Sequence, residues 1–226
     1  MRVIAGEFRS RRLKSIPGDA TRPTPDRLRE TLFDILAPRI EGAIFLDAYA
    51  GTGAVGIEAL SRGARHAIFL EKDRFAVETI QENLASLKLE RRSTVVKGPA
   101  LQTLVRSQAS IVFLDPPYNL EREYSAVLDL LSQTPPDLAI VQHSVRLTLA
   151  DSYGTLERTR IVKQGDNALS FYSAAQTGQS AEGELRSPLD FGCSRIDDSR
   201  RGHAESMSHE TPRLPRGTWF TLSRAS

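Results

Sequence analysis

The sequence lacks most of the features that mark secreted, metal-stapled or membrane-spanning proteins. Its 226 residues include one cysteine, Cys193, which excludes an internal disulfide and a CxxC zinc site. The apolar runs at residues 43–46 and 111–114 each end at an aspartate, well short of the roughly 20 residues that a membrane span needs. The first residues contain no apolar core of a signal peptide. We therefore expect a cytoplasmic protein with no membrane contact and no metal site.

What the sequence does contain is an ordinary share of apolar residues, 40%, and an uneven distribution of charge. The net charge is only +2, but residues 1–30 carry eight basic residues against four acidic ones. A basic terminal segment on an otherwise balanced chain is typical of proteins that bind a polyanion. The charge alone fits a merely solvated surface equally well, so both interpretations stay open.

The apolar pattern of residues 43–173 predicts an α/β fold. Short, almost continuous apolar strands alternate with helical patterns, which is typical of a parallel sheet covered on both faces. Residues 163–167 are too few for a parallel crossover between the last two strands. We predict a Rossmann-like, doubly wound, mostly parallel seven-stranded sheet with a terminal antiparallel strand pair. The predicted strands lie at residues 43–46, 67–70, 94–96, 111–114, 138–141, 159–162 and 168–172.

Two other segments flank this domain. Residues 1–40 hold the basic residues and are predicted to form a small N-terminal β-hairpin around Gly6, followed by a helix from Asp26. Residues 175–226 show no apolar period, so they cannot bury enough apolar surface to offset their chain entropy. The predicted organisation is a basic segment at 1–40, a ligand-binding domain at 41–174 and a disordered C-terminal tail at 175–226.

A glycine-rich loop follows the first predicted strand and opens the next helix. Gly51, Gly53 and Gly56 form a GxGxxG pattern, and Glu71 follows at the end of the second strand. Glycines let the backbone approach a ligand closely, and the acidic residue accepts hydrogen bonds from ribose hydroxyls. A tight turn without a ligand is the plainer interpretation. The loop and the acid together favour a nucleotide-like cofactor.

Two features favour S-adenosylmethionine over a dinucleotide. Asp47 precedes the loop at a position where a carboxylate faces a cationic amino-acid group and would repel a pyrophosphate. The second feature is the Asp115-Pro116-Pro117-Tyr118 sequence after the fourth strand. The predicted cofactor-binding residues are Asp47, Gly51, Thr52, Gly53 and Glu71. Asp73 is predicted to cap the following helix instead.

The residues Asp115, Pro116, Pro117 and Tyr118 carry the predicted chemistry. The prolines fix φ and lack N–H groups, so the peptide presents only acceptors, the Asp115 carboxylate and the Pro116 carbonyl. Two acceptors that hold an exocyclic amino group favour a pyramidal nitrogen and direct its lone pair at a methyl group. Tyr118 is expected to stack on the extruded base, a contact of about 1–3 kcal/mol. Asp115 is expected to orient the amine and receive its proton after methylation.

Both motifs resemble those of class I S-adenosylmethionine-dependent methyltransferases. The wider sequence resembles the RsmD-type 16S rRNA (guanine-N2)-methyltransferases, from residue 1 to about residue 172. The most specific parts of this resemblance are residues 21–33 and 165–172. The other parts that carry it are residues 1–6, 50–64, 71–73 and 115–118.

The resemblance implies methyl transfer to the N2 of one guanine in 16S rRNA, within an assembling small ribosomal subunit. We expect a monomer. The residues implied to bind RNA are Arg9, Arg11, Arg12, Lys14 and Arg22. Two positions depart from the family pattern: Pro99 replaces an aspartate that contacts the adenine amino group, and Gln142 replaces an acidic residue.

Three other functions fit parts of the pattern. A DNA amino-methyltransferase would use the same chemistry at Asp115, but no separate target-recognition domain precedes residue 175. An NAD-dependent oxidoreductase would share the glycine loop but not the proline sequence. A non-catalytic RNA-binding module for ribosome assembly would keep the fold without turnover, and the departure at Pro99 gives this alternative some weight.

Overall fold

The structure is a computed structural model that describes residues 1–16, 25–104, 108–117 and 121–175. Its helices are α1 (Asp26–Ile40), α2 (Ala54–Ser61), α3 (Arg74–Ser86), α4 (Ala100–Thr103) and α5 (Glu121–Gln133), with a 3₁₀ turn at Glu90–Arg92. Its strands are β1 (Ile44–Asp47), β2 (His66–Glu71), β3 (Ser93–Lys97), β4 (Ile111–Leu114), β5 (Leu138–Ser144), β6 (Ser152–Tyr153), β7 (Leu156–Gln164) and β8 (Asn167–Ala174).

The strands form one sheet in the order β3-β2-β1-β4-β5-β8-β7-β6. The first five in this order run parallel, and β8, β7 and β6 add antiparallel pairs. The chain leaves β1 toward β2 on one side and returns to β4 on the other. This reversal opens a crevice at the carboxyl ends of β1 and β4, where ligands of such sheets bind.

The two faces of the sheet bury different helices. On β1 and β4, Phe45 and Phe113 point to the face covered by α1 and α2, where Leu32 and Phe33 are fully buried. The alternate residues of the same strands pack against Tyr124 and other residues of α5. Burial of each large apolar side chain contributes about 1.5–3 kcal/mol. The predicted doubly wound α/β fold is confirmed.

The structure can be compared with three further expectations from the sequence, which concern the terminal strand pair, the N-terminal hairpin and the C-terminal tail. The predicted terminal antiparallel pair is confirmed as β7 and β8, and the two-residue strand β6 makes the sheet eight-stranded, one more than the seven expected. The N-terminal hairpin is reduced to a single antiparallel bridge between Arg2 and Arg12. The tail from residue 176 lies outside the described residues, and the division at residues 40 and 174 stays a prediction.

Within the described ranges, no helix is both long and apolar enough to cross a membrane.

The N-terminal segment, residues 1–16, is held on α2 by two buried polar side chains. The carboxylate of Glu58, fully buried, accepts hydrogen bonds from the backbone N–H groups of Ile4 and Ala5 at 2.7 and 2.9 Å. Ser61 donates to the carbonyl of Ala5. Gly6 has φ +82°, and a Cβ there would lie 1.9 Å from the Ser61 carbonyl oxygen, so a larger residue cannot take its place unless the segment moves.

Candidate active site

The glycine loop connects the end of β1 to the start of α2. Gly51 and Gly53 have φ of +53° and +78°, which L side chains rarely adopt. The loop is attached to the strands on both sides, because the N–H of Ala48 donates to the Phe113 carbonyl and that of Ala50 to the Leu70 carbonyl. Among the described residues other than its two chain neighbours, none has an atom within 4 Å of a Cβ built on Gly51, so the backbone faces open space there. The loop can therefore receive a ligand in direct contact with its backbone.

The third glycine of the pattern serves packing. A Cβ on Gly56, in the first turn of α2, would lie 2.3 Å from the ring of Phe69 in β2. The missing side chain lets α2 lie close against the sheet. This close approach places the N-terminus of α2 beside the carboxyl ends of the strands.

Asp47 lies beneath the loop and is only 1% exposed. Its Oδ2 accepts a hydrogen bond of 3.0 Å from the Gly56 N–H. Burial raises the pKa of Asp47 to about 7. The hydrogen bond from Gly56 opposes this shift, and the negative charges of Asp115 and Glu71 add to it. The carboxylate thus orders the start of α2, and its expected role toward a cationic cofactor group stays a prediction.

Glu71 reaches the loop from the end of β2. Its Oε2 accepts from the Gly51 N–H at 2.8 Å, and its Oε1 from the Asp73 N–H at 2.9 Å. The carboxylate remains half-buried, and its further lone pairs can still accept hydrogen bonds from a ligand. Asp73 accepts from the Ala76 N–H at 2.9 Å, which confirms its predicted role as the cap of α3. The Thr52 carbonyl accepts from Asn83 of α3 at 3.1 Å.

Asp115, Pro116 and Pro117 follow β4 directly, next to the glycine loop. Asp115 is half-buried, Pro116 buried and Pro117 exposed. Asp47 is the register partner of Phe113, and the N–H of Ala48 donates to the Phe113 carbonyl, so Asp115 follows two residues later beside the start of the glycine loop. The structure therefore brings together the glycine loop and the Asp115-Pro116 acceptors. Tyr118, the predicted stacking residue, lies outside the described residues.

Helix α5 contributes two contacts that were not predicted. The hydroxyl of Tyr124, only 1% exposed, donates a 3.0 Å hydrogen bond to the Pro116 carbonyl. The hydroxyl of Tyr49, in the glycine loop, donates to Glu123 at 2.9 Å, and burial and this carboxylate raise the pKa of Tyr49. The sequence offered a signal for Tyr124, because it continues the apolar stripe of Val127, Leu128 and Leu131 toward the N-terminus of α5. Nothing in the sequence pointed to its hydroxyl partner.

The residues expected to bind RNA have different surroundings. Arg9 and Arg12 are exposed. Arg11 donates to the Ser86 carbonyl at 3.1 Å, and Lys14 forms an exposed ion pair with Glu82 at 2.9 Å. Both therefore attach the N-terminal segment to α3. Arg22 lies outside the described residues.

The two departures from the family pattern lie near the same edge of the sheet. Pro99 occupies the position before α4, and its carbonyl accepts hydrogen bonds from Gln102 and Thr103. It provides no carboxylate for an adenine amino group. Gln142 lies in β5 opposite Leu169 and is 2% exposed, and its Oε1 has no hydrogen-bond partner within the described part of the chain.

Comparison with known proteins matches this geometry to methyltransferases. A family model described as conserved hypothetical protein 95 matches residues 1–173. The putative rRNA methyltransferase YlbH of Bacillus subtilis is 34% identical over 181 residues, which cover 76% of this chain and 98% of that protein. The ribosomal RNA small subunit methyltransferase D of Escherichia coli K12 is 44% identical over 120 residues, 52% of this chain and 60% of that protein.

The fold agrees with a solved structure. The putative methyltransferase yhhF from Escherichia coli superposes with a TM-score of 0.66 and 36% sequence identity. The match covers 77% of this chain and 97% of that structure. The residues that the family model matches, 1–173, include the glycine loop, β4 and Asp115.

Proposed function

The chain belongs to the conserved hypothetical protein 95 family, that of the RsmD-type rRNA methyltransferases, and from this membership we infer its reaction. It transfers a methyl group from S-adenosylmethionine to the exocyclic N2 amino group of a guanine in small-subunit rRNA. The observation that carries this function is the juxtaposition of the glycine loop with Asp115 and Pro116 at the crevice between β1 and β4.

The residues at the crevice fit S-adenosylmethionine. Gly51 leaves open space over the loop. Glu71 lies at the end of β2, where an acidic residue accepts hydrogen bonds from the ribose hydroxyls of a cofactor. The bond from the Gly51 N–H to Glu71 fixes the loop and the acid relative to each other before a ligand arrives. We propose that Asp47, Gly51, Thr52, Gly53 and Glu71 hold the cofactor.

The protein's own contribution to the reaction is to orient an unreactive amine. The lone pair of the guanine amino group is delocalised into the ring, so it attacks poorly unless the nitrogen becomes pyramidal. Asp115 and the Pro116 carbonyl accept hydrogen bonds from its two N–H groups and turn the lone pair outward. S-adenosylmethionine, when bound, supplies the methyl group on a positively charged sulfur. Asp115 then receives the proton that the methylated nitrogen releases. Pro117 and Tyr118 complete the proposed catalytic set.

We further propose how the substrate is reached. The target guanine leaves its stack to enter the crevice, as enzymes that modify bases require. Residues Arg9, Arg11, Arg12, Lys14 and Arg22 contact rRNA, and the substrate is an assembling small ribosomal subunit. The protein acts as a monomer in the cytoplasm, with the RNA-contact segment at 1–40, the methyltransferase domain at 41–174 and the tail at 175–226.

The test is transfer of labelled methyl groups to RNA from cells that lack the protein. Deproteinised small-subunit rRNA and intact small subunits are incubated with the full chain and labelled S-adenosylmethionine, and the modified nucleoside is mapped. We expect N2-methylguanosine at one position, and no label on rRNA from cells that contain the protein. Label on DNA adenine or cytosine alone, or cofactor binding without transfer to any RNA, would overturn the proposal.

A further inference from the structure

Two arginines of the N-terminal segment lie directly opposite each other. Arg2 and Arg12 form the antiparallel bridge of this segment, so their side chains project from the same face. The neighbours Val3 and Leu13 are 1% and 5% exposed, and pack into the core on the other face. Arg2 and Arg12 are both exposed, and within the described ranges no carboxylate forms an ion pair with either.

In the absence of a bound anion, the opposed positions of Arg2 and Arg12 destabilise the N-terminal segment. Like charges at directly opposite positions of an antiparallel pair repel each other. The backbone holds them in place nevertheless: the N–H of Val3 donates to the Arg11 carbonyl, and the buried guanidinium of Arg29 donates to the Arg2 carbonyl at 2.7 Å. An anion bound between the two guanidinium groups would be attracted by both positive charges and would offset their repulsion.

The space for such an anion is present. Arg2 and Arg12 face a cavity of about 600 Å³, whose described lining residues are Met1, Arg2, Ser10, Arg12, Leu13 and Asp26. The carboxylate of Asp26 is already paired with Arg29 at 2.9 Å. The cavity adjoins the glycine loop, because Thr52 contacts the sulfur of Met1 at 3.5 Å. Arg11 and Lys14, by contrast, are engaged with α3.

We propose that Arg2 and Arg12 form a phosphate site for the RNA backbone beside the target nucleotide. The inference rests on the proposed function and refines it. It adds Arg2, which is not among the RNA-binding residues proposed above, and it assigns one phosphate beside the target nucleotide to this pair. The guanidinium groups each donate charge-assisted hydrogen bonds to phosphate oxygens, which place the chain near the cofactor loop without reading the base.

The test measures RNA affinity as a function of salt concentration. The full chain and its Arg2→Gln and Arg12→Gln variants are titrated with a labelled single-stranded fragment of small-subunit rRNA at several KCl concentrations. Arg39→Gln is the matched control, because Arg39 is exposed at the opposite edge of the sheet, near the first residues of β4 and β5. We expect each substitution in the pair to reduce the slope of log affinity against log salt by about 0.7–1. The control should leave the slope unchanged.

A thermal melt separates lost binding from misfolding. Since repulsion is relieved, Arg12→Gln should melt at the same temperature as the parent protein or higher. Slopes that are equal for Arg12→Gln, Arg39→Gln and the parent protein would overturn the phosphate site while methyl transfer by the parent stands. If the parent protein methylates no rRNA but both variants have a smaller slope of log affinity against log salt than the parent, the proposed function is overturned and the phosphate site stands.

Discussion

The hydroxyl of Tyr124 donates a hydrogen bond to the carbonyl of Pro116, 3.0 Å away, from inside the core. Neither proline after Asp115 has an N–H group, so the turn lacks the backbone donors that usually hold a loop. The tyrosine supplies a donor from a different element, α5. It fixes the direction of the Pro116 carbonyl and leaves the second lone pair of this oxygen for the proposed hydrogen bond from the guanine amine. Tyr124 is thus a positioning residue for the proposed reaction.

Substitution Tyr124→Phe should slow methyl transfer more than it weakens the fold. Loss of the hydrogen bond costs about 0.5–1.5 kcal/mol of unfolding free energy. We expect kcat to fall about tenfold, the equivalent of 1.4 kcal/mol in the barrier, while the affinity for S-adenosylmethionine is retained.

Tyr172→Phe is the control for this experiment. The Tyr172 hydroxyl also donates to a backbone carbonyl, that of Ala150 at 2.9 Å, but Tyr172 pairs with Ala139 near the opposite end of the sheet. This variant should lose similar stability and keep its kcat. Equal losses of kcat in both variants would show that the Tyr124 hydrogen bond has no special role in transfer.

Asp115→Ala should abolish transfer while it spares cofactor binding. The carboxylate acts on the target amine in the proposed mechanism, so its removal should lower kcat by about 10²–10⁴-fold. Calorimetric titration with S-adenosylmethionine should give an almost unchanged Kd. Asp137→Ala, an exposed aspartate just before β5, serves as the control. A parallel loss of cofactor affinity in Asp115→Ala would instead place Asp115 in the cofactor site.

The stability of the protein should depend on pH through Asp47. Its pKa is about 7 in the folded protein, against 3.8 for an ordinary aspartate, because burial disfavours the charge. Stability from this group is present below about pH 4 and is lost as pH rises through about 7. Asp47→Asn keeps an acceptor for the Gly56 N–H but cannot ionise. Its Tm relative to that of the parent protein should therefore rise between about pH 5 and pH 8. A Tm difference that stays constant over this range would contradict the raised pKa of Asp47.

Gly56→Ala should destabilise the protein by overpacking. The added methyl would lie 2.3 Å from the Phe69 ring, and α2 and β2 would have to separate, at a cost of about 1–3 kcal/mol. Urea unfolding of the single variants and of Gly56→Ala with Phe69→Leu completes a double-mutant cycle. We expect the smaller Leu side chain to recover part of the loss. Additive free energies would indicate that the ring is not the obstacle.

Local sequence patterns predicted most of the fold. The strands β1, β2, β4 and β5 are short apolar runs that end at polar residues, so their burial on both faces could be read directly from the chain. The glycine spacing predicted a loop whose backbone can approach a ligand closely, and Gly51 and Gly53 have the positive φ of such a turn. The close packing of Gly56 against Phe69 was not predicted. The two-residue strand β6 was missed, because Ser152 and Tyr153 are too few to show a period.

Contacts between distant residues were harder to predict. Glu58 accepts hydrogen bonds from Ile4 and Ala5, more than fifty positions away, and no spacing in the chain announces such a pair. The sequence also does not distinguish Arg12 from Arg11, although the first faces a cavity and the second binds α3. The way in which the N-terminal segment packs on the rest of the protein decides which of the two arginines is available to bind a ligand.

The sequence by itself determined the α/β alternation, the turn chemistry of the glycine loop and the stiff acceptor pair at Asp115 and Pro116. Those features depend on side-chain periodicity and on the backbone restrictions of glycine and proline, which act within a few residues. Only the tertiary structure decided that Tyr124 orients the Pro116 carbonyl and that Arg2 faces Arg12. These relationships arise when strands and helices pack, since packing brings together groups that the chain keeps apart and lets some of them exclude water.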